Sequence, residues 1–119
     1  MHEIEIYEDK NGNSPVADFL EALNVKARTS KEHRVRLKKI SEYLQLLKVY
    51  GTRAGLPATK YISDDIWELR PTQDRILFAY WKDDKFILLH HFVKKTQKTP
   101  QREIERAKRN LKDLMERSK

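Results

Sequence analysis

An α+β domain is the fold class this sequence predicts, with a helical hairpin packed on a mainly antiparallel sheet and a basic helix at the end. Three observations predict it. Apolar residues recur with a helical period from Ser14 to Tyr50, the pattern shortens to that of strands from Asp65 to Val93, and it turns helical again after Thr99-Pro100.

Taken in order, "HEIEIYED" alternates apolar and acidic residues, the pattern of a short strand with Ile4 and Ile6 facing inward. "KNGNS" centres a turn on Asn11-Gly12. Ser14 is then an N-cap and Pro15 the first helical residue, with Val16, Phe19, Leu20 and Leu23 on one apolar face. A second helix starts near Ser30, carries Leu37, Ile40, Leu44 and Leu47 as its stripe, and stops at Gly51. A few polar residues join the two helices, so they pack as a hairpin. "AGLPATKYI" reads as a loop or an irregular edge strand, because Pro57 cannot donate to a ladder. "DIWELR", "RILFAYW" and "KFILLHHFV" are three closely spaced strands, with turns at Pro71 to Asp74 and at Asp83-Asp84, hence antiparallel neighbours. Thr99-Pro100 opens the last helix, with Ile104, Ala107, Leu111 and Leu114 as its buried seam.

A chain of 119 residues, 39% hydrophobic and 36% charged, fits one surface-rich globular domain over residues 1–119. No apolar run approaches the roughly 20 residues that a membrane span needs, and the acidic start (Glu3, Glu5, Glu8, Asp9) does not resemble a secretory signal. Cysteine is absent, which excludes disulfides and thiolate zinc sites and suits a cytoplasmic location. The net charge of +7 is concentrated: residues 94–119 hold 10 Lys or Arg against 4 Asp or Glu, the rest 15 against 14. Such a local excess suits a polyanion partner, and equally a basic solubilising tail. On the last helix Arg102, Arg106, Arg109 and Lys112 share an outer face.

Side chains alternate along a strand, so burying Trp67 and Leu69 against the helices leaves Glu68 and Arg70 on the open side. Arg75 opens the next strand, and "HHFVKK" closes the last, so Glu68, Arg70, Arg75, His90, His91, Lys94 and Lys95 are expected to gather at one sheet end. That set suits metal-free RNA cleavage. The 2′-hydroxyl must lose a proton, the pentavalent phosphorane needs positive charge, and the leaving 5′-oxygen needs a proton. Glu, His or Lys can move the protons, and arginine binds phosphate oxygens with a planar fork. Two bland readings stand beside it. Glu68 and Arg70 also fit a structural ion pair, and one of the adjacent histidines fits a core residue. Neighbouring histidines point to opposite faces and suit no common metal, so no metal site is expected.

The order "SPVADFLEAL … IWELRPTQDRILFAYW … ILLHHFVKKTQKTPQREIERA" resembles the phage Gp49-like branch of RelE/ParE-type toxins, the HigB group, over nearly the whole chain. Glu68-Leu69-Arg70, Arg75-Ile76-Leu77 and the segment from Phe92 to Pro100 carry the resemblance. It implies a RelE-like fold and the toxin of a type II toxin–antitoxin module, a ribosome-dependent endoribonuclease that cleaves mRNA by 2′-OH attack and inhibits translation. No metal or cofactor is implied. The implied partners are a HigA-type helix-turn-helix antitoxin, mRNA on the ribosome, and ribosomal RNA. By position, Arg75 matches the arginine that stabilises the transition-state phosphate, Lys95 and Lys94 the basic residues after the last strand, and Arg70 the arginine of the strand before. The chain lacks a tyrosine after Tyr80, so proton transfer falls to Glu68, His91 or a lysine, with His90 and Lys98 beside the phosphate. A non-nuclease toxin of the gyrase-poison type, or an inactive nucleic-acid or protein-binding module, is the alternative.

Overall fold

The helical hairpin expected at the N-terminal end follows a strand, as the alternation of "HEIEIYED" required. This computed structural model describes residues 1–118; residue 119, the last of the expected domain, lies outside them. The elements run β1 (Glu3–Ile6), α1 (Pro15–Ala27), α2 (Lys31–Tyr50), a 3₁₀ turn (Gly51–Ala54), β2 (Thr59–Ser63), β3 (Ile66–Leu69), β4 (Asp74–Trp81), β5 (Lys85–Val93) and α3 (Gln101–Arg117).

The helix starts are local chemistry. The Ser14 hydroxyl accepts from Ala17 N and donates to the Tyr7 carbonyl, tying α1 to the end of β1. The Ser30 hydroxyl accepts from His33 N at the start of α2. Both satisfy amides that a helix leaves without partners in its first turn. Short turns close β2–β3, with two residues at Asp64-Asp65, and β4–β5, with three at Lys82 to Asp84; the four aspartates all have positive φ, the region that tight hairpin turns require.

The sheet has order β1-β5-β4-β3-β2. Three pairings are antiparallel, but β1 runs parallel to β5, so the sheet is mixed. Both of its faces are covered. On one face α1 and α2 pack Val16, Leu23, Ile40 and Leu47 against Leu69, Ile76, Phe78, Phe86 and Leu88. On the other, Ala107, Leu111 and Leu114 of α3 pack against Ile66, Leu77, Ala79, Ile87 and Leu89. This corrects the expectation of an open side beneath Glu68 and Arg70: α3 lies over it, and Glu68 is 2% exposed. It also corrects Ile6, which is exposed at the sheet edge, while Tyr7 takes the inward position and donates to Asp113 of α3.

A bulge sets the end of β5. Leu77 pairs with His90 and Phe78 with Leu88, so Leu89 is the extra residue. Leu89 joins the α3 face, and beyond it His90 meets Glu103 of α3 while His91 stacks on Phe19 of α1.

Gly51 ends α2 at φ 60, and its N–H bonds the Leu47 carbonyl. A Cβ there would lie 2.7 Å from His2 Nε2, in a backbone region that side chains rarely adopt. Gly51→Ala is expected to lower unfolding stability by about 1–3 kcal/mol, read as a lower urea midpoint with an unchanged slope.

Candidate functional site

Glu68 and Arg75 share the α3 face because β3 and β4 pair antiparallel with Glu68 opposite Leu77, two residues on from Arg75. The two guanidiniums converge on the buried carboxylate. Arg70 Nε stands 3.3 Å and Arg75 Nε 3.9 Å from Glu68 Oε1, and the Thr99 hydroxyl donates to Glu68 Oε2 at 2.7 Å. Arg75 is 5% exposed, and its Nη1 donates to the carbonyls of Thr72 and Asp74. Thr72 is a β-branched residue at φ 45, strained for its type, and Arg75 holds its carbonyl. Burial draws the Arg75 guanidinium down from its usual value, with Glu68 pulling the other way; arginine starts so high that the charge persists at neutral pH. Arg70 is the more open of the two, and its buried Nε lacks a hydrogen bond of good geometry despite the nearby carboxylate.

Beside this cluster lies an open groove of about 800 Å³ between the end of β5 and the start of α3. Phe92, the cross-strand partner of Arg75, forms part of its wall, and so does Thr99. Lys95 and Lys98 line it and are exposed. Lys94 follows the strand, with its N–H on the Gln73 carbonyl, and is not among the lining residues. Of the residues expected at one sheet end, Arg70 and Arg75 stand within ion-pair distance of Glu68, and Lys95 lines the neighbouring groove together with Lys98.

The two histidines part: His90 stays on the α3 face with Glu68 and Arg75, and His91 leaves it. His90 Nε2 lies 2.9 Å from Glu103 Oε1, both residues under 10% exposed. His91 is on the opposite face from Arg75: its Nε2 lies 2.9 Å from Asp74 Oδ1, and its ring stacks on Phe19 at 3.4 Å between centroids. The bulge at Leu89 and the alternation that follows it separate the pair. Arg36 completes the His91 cluster with Nε and Nη2 on the two Asp74 oxygens, at 3.1 and 2.7 Å. Burial works to raise the Asp74 carboxyl, but the hydrogen bonds from His91 and Arg36 outweigh it and hold the group below its usual range. The same bond raises Arg36.

Four residues of these clusters had no place in the sequence expectation: Thr99, Glu103, Asp74 and Arg36. Glu103 had a signal, because it stands four residues before Ala107 and beside Ile104 on the inner face of α3. Thr99 was read only as the residue before the helix, and Asp74 only as part of a turn. Among the described residues no three His, Asp or Glu side chains converge as metal ligands would, and no helix is long and apolar enough to cross a membrane.

Comparison with curated proteins found no match. A family model does match, over residues 18–112, from within α1 to within α3, and it takes in Glu68, Arg70, Arg75, the groove lysines and both histidines. By that match the chain belongs to the family of phage-derived proteins described as Gp49-like (DUF891).

Proposed function

We propose that this chain is the toxin of a type II toxin–antitoxin module, acting as one domain over residues 1–119 in the cytoplasm. Its activity is a ribosome-dependent endoribonuclease that cleaves mRNA without a metal or other cofactor. The observation that carries the reading is the buried Glu68 carboxylate, bracketed by Arg70 and Arg75 and bonded by Thr99, at the edge of a lysine-lined groove. Membership of the Gp49-like family agrees with it.

In this reading the scissile phosphate sits at the groove edge. Arg70 contacts its oxygens, and Arg75 supplies positive charge from beneath, where low dielectric and a fixed geometry make that charge effective. Glu68 takes the proton from the 2′-hydroxyl as it attacks phosphorus. Lys95 gives a proton to the leaving 5′-oxygen, so the products are a 2′,3′-cyclic phosphate and a 5′-hydroxyl. Lys98 and Lys94 hold flanking phosphates, and the exposed Arg102, Arg106, Arg109 and Lys112 of α3 face ribosomal RNA or the acidic residues of a HigA-type antitoxin. His91 acts through Asp74, keeping β4 and β5 in place.

The test is cleavage of mRNA on programmed ribosomes by purified protein in EDTA, with the product ends identified chemically. Cyclic phosphate ends support the reading; 3′-hydroxyl or 5′-phosphate ends would sink it. Binding to a non-cleavable RNA is expected to weaken steeply with salt. Lys95→Ala combined with Lys98→Ala should reduce the log–log salt slope by about 1.4 if each contacts one single-strand phosphate. Titration by fluorescence anisotropy at several salt concentrations measures it.

A further inference from the structure

The groove carries a carboxylate that the cleavage chemistry does not use. Glu103, in the first turn of α3, lines the groove and is 9% exposed. His90 Nε2 holds its Oε1 at 2.9 Å, whereas Arg106, largely exposed, stands at 3.9 Å. Its Oε2 takes no part in that bond. A carboxylate on the wall of a cationic groove repels phosphate and accepts from N–H donors, including the neutral ones of a base edge. Phe92, Pro100 and Ile104 supply apolar wall beside it, and Lys95 and Lys98 supply cations. A flat body with N–H donors on one edge and a phosphate on the other side is a nucleotide.

Resting on the nuclease reading above, we infer that the groove holds a nucleobase subsite in which Glu103, positioned by His90, selects an amino-bearing base of single-stranded RNA over uracil. A carboxylate only accepts hydrogen bonds. Adenine, cytosine and guanine each present an exocyclic amine on the Watson–Crick edge that unstacked RNA exposes. Uracil presents one N–H between two carbonyls, which the carboxylate repels. At about 800 Å³ the groove is large enough for a nucleotide.

The experiment is fluorescence anisotropy of the full chain with labelled 2′-O-methyl hexanucleotides of A, C and U, which lack the attacking hydroxyl. The A and C hexamers are expected to bind about tenfold more tightly than the U hexamer, the effect of one well-made base contact. Glu103→Gln, whose amide both donates and accepts, is expected to bring the three within about twofold by admitting U. His90→Phe, which keeps a ring but releases Glu103, is expected to narrow the ratio too. Lys95→Ala should weaken all three and keep the ratio. An unchanged ratio in a Glu103→Gln protein that folds normally by circular dichroism overturns the inference, and so does binding of no hexamer. A preference that follows Glu103 in a protein that fails to cleave mRNA supports the subsite while defeating the nuclease reading.

Discussion

Asp74→Ala is expected to cost about 3–5 kcal/mol of unfolding stability, the effect of removing one partner of a buried ion pair. Asp74 is fully buried and takes bonds from both Arg36 and His91, so its loss strands a guanidinium with a side chain only 15% exposed. It also unties α2 from β4 and β5 in one step. The loss should depend on pH, with a sign fixed by the depressed Asp74 carboxyl. The unfolded chain binds that proton at a higher pH than the native state does. The contribution is therefore complete above the ordinary aspartate value of about 3.9 and fades as pH falls through the lower native value. Urea unfolding of wild type and Asp74→Ala at pH 7 and at pH 3 measures both effects, and the gap between the proteins should be smaller at pH 3. An equal gap at both would show that the carboxylate's charge is not what holds the cluster.

Arg75→Ala is expected to reduce mRNA cleavage about 10²–10³-fold, the effect of removing one preorganised charge from a transition state. The side chain does a second task, since it also pins the Thr72 carbonyl. Arg75→Lys separates the two: it keeps a positive charge near Glu68 but loses the Nη1 that bonds the carbonyls of both Thr72 and Asp74. A partial return of cleavage in Arg75→Lys assigns the larger share to charge. Cleavage as low as in Arg75→Ala assigns it to the turn. Circular dichroism and urea midpoints on the same samples keep folding separate from activity.

What sequence made legible follows from how far apart the interacting residues lie. Ser14-Pro15, Ser30 and Gly51 mark helix ends through contacts within a few positions, and each acts as read. The three strands of the second half were equally plain, because their turns are two to four residues long and their periods short. The parallel pairing of β1 with β5 joins segments about 80 residues apart, and no local pattern encodes it. The surroundings of Glu68 were misjudged for a related reason. Alternation correctly separated it from Trp67 and Leu69, but α3 covers its face, and the seam of α3 does not say which sheet face it meets. Asp74 finds its arginine 38 positions upstream, a pairing invisible to any window reading. The two histidines point opposite ways as alternation required. Which of them meets the groove side depended on one extra residue at Leu89.

Glu68, Arg70 and Arg75 are proposed to form a site for RNA cleavage. The most direct test is induction of wild type, Arg70→Ala and Arg75→Ala in cells without antitoxin, followed by growth measurement and primer extension on cellular mRNAs. Arrest and new cleavage within translated frames are expected for the wild type, with both lost in folded Arg70→Ala and Arg75→Ala. Arrest with intact mRNA would contradict the proposal and point to a gyrase-type target. Undiminished cleavage by both variants would remove these residues from the chemistry, and the absence of any toxicity would leave a binding module.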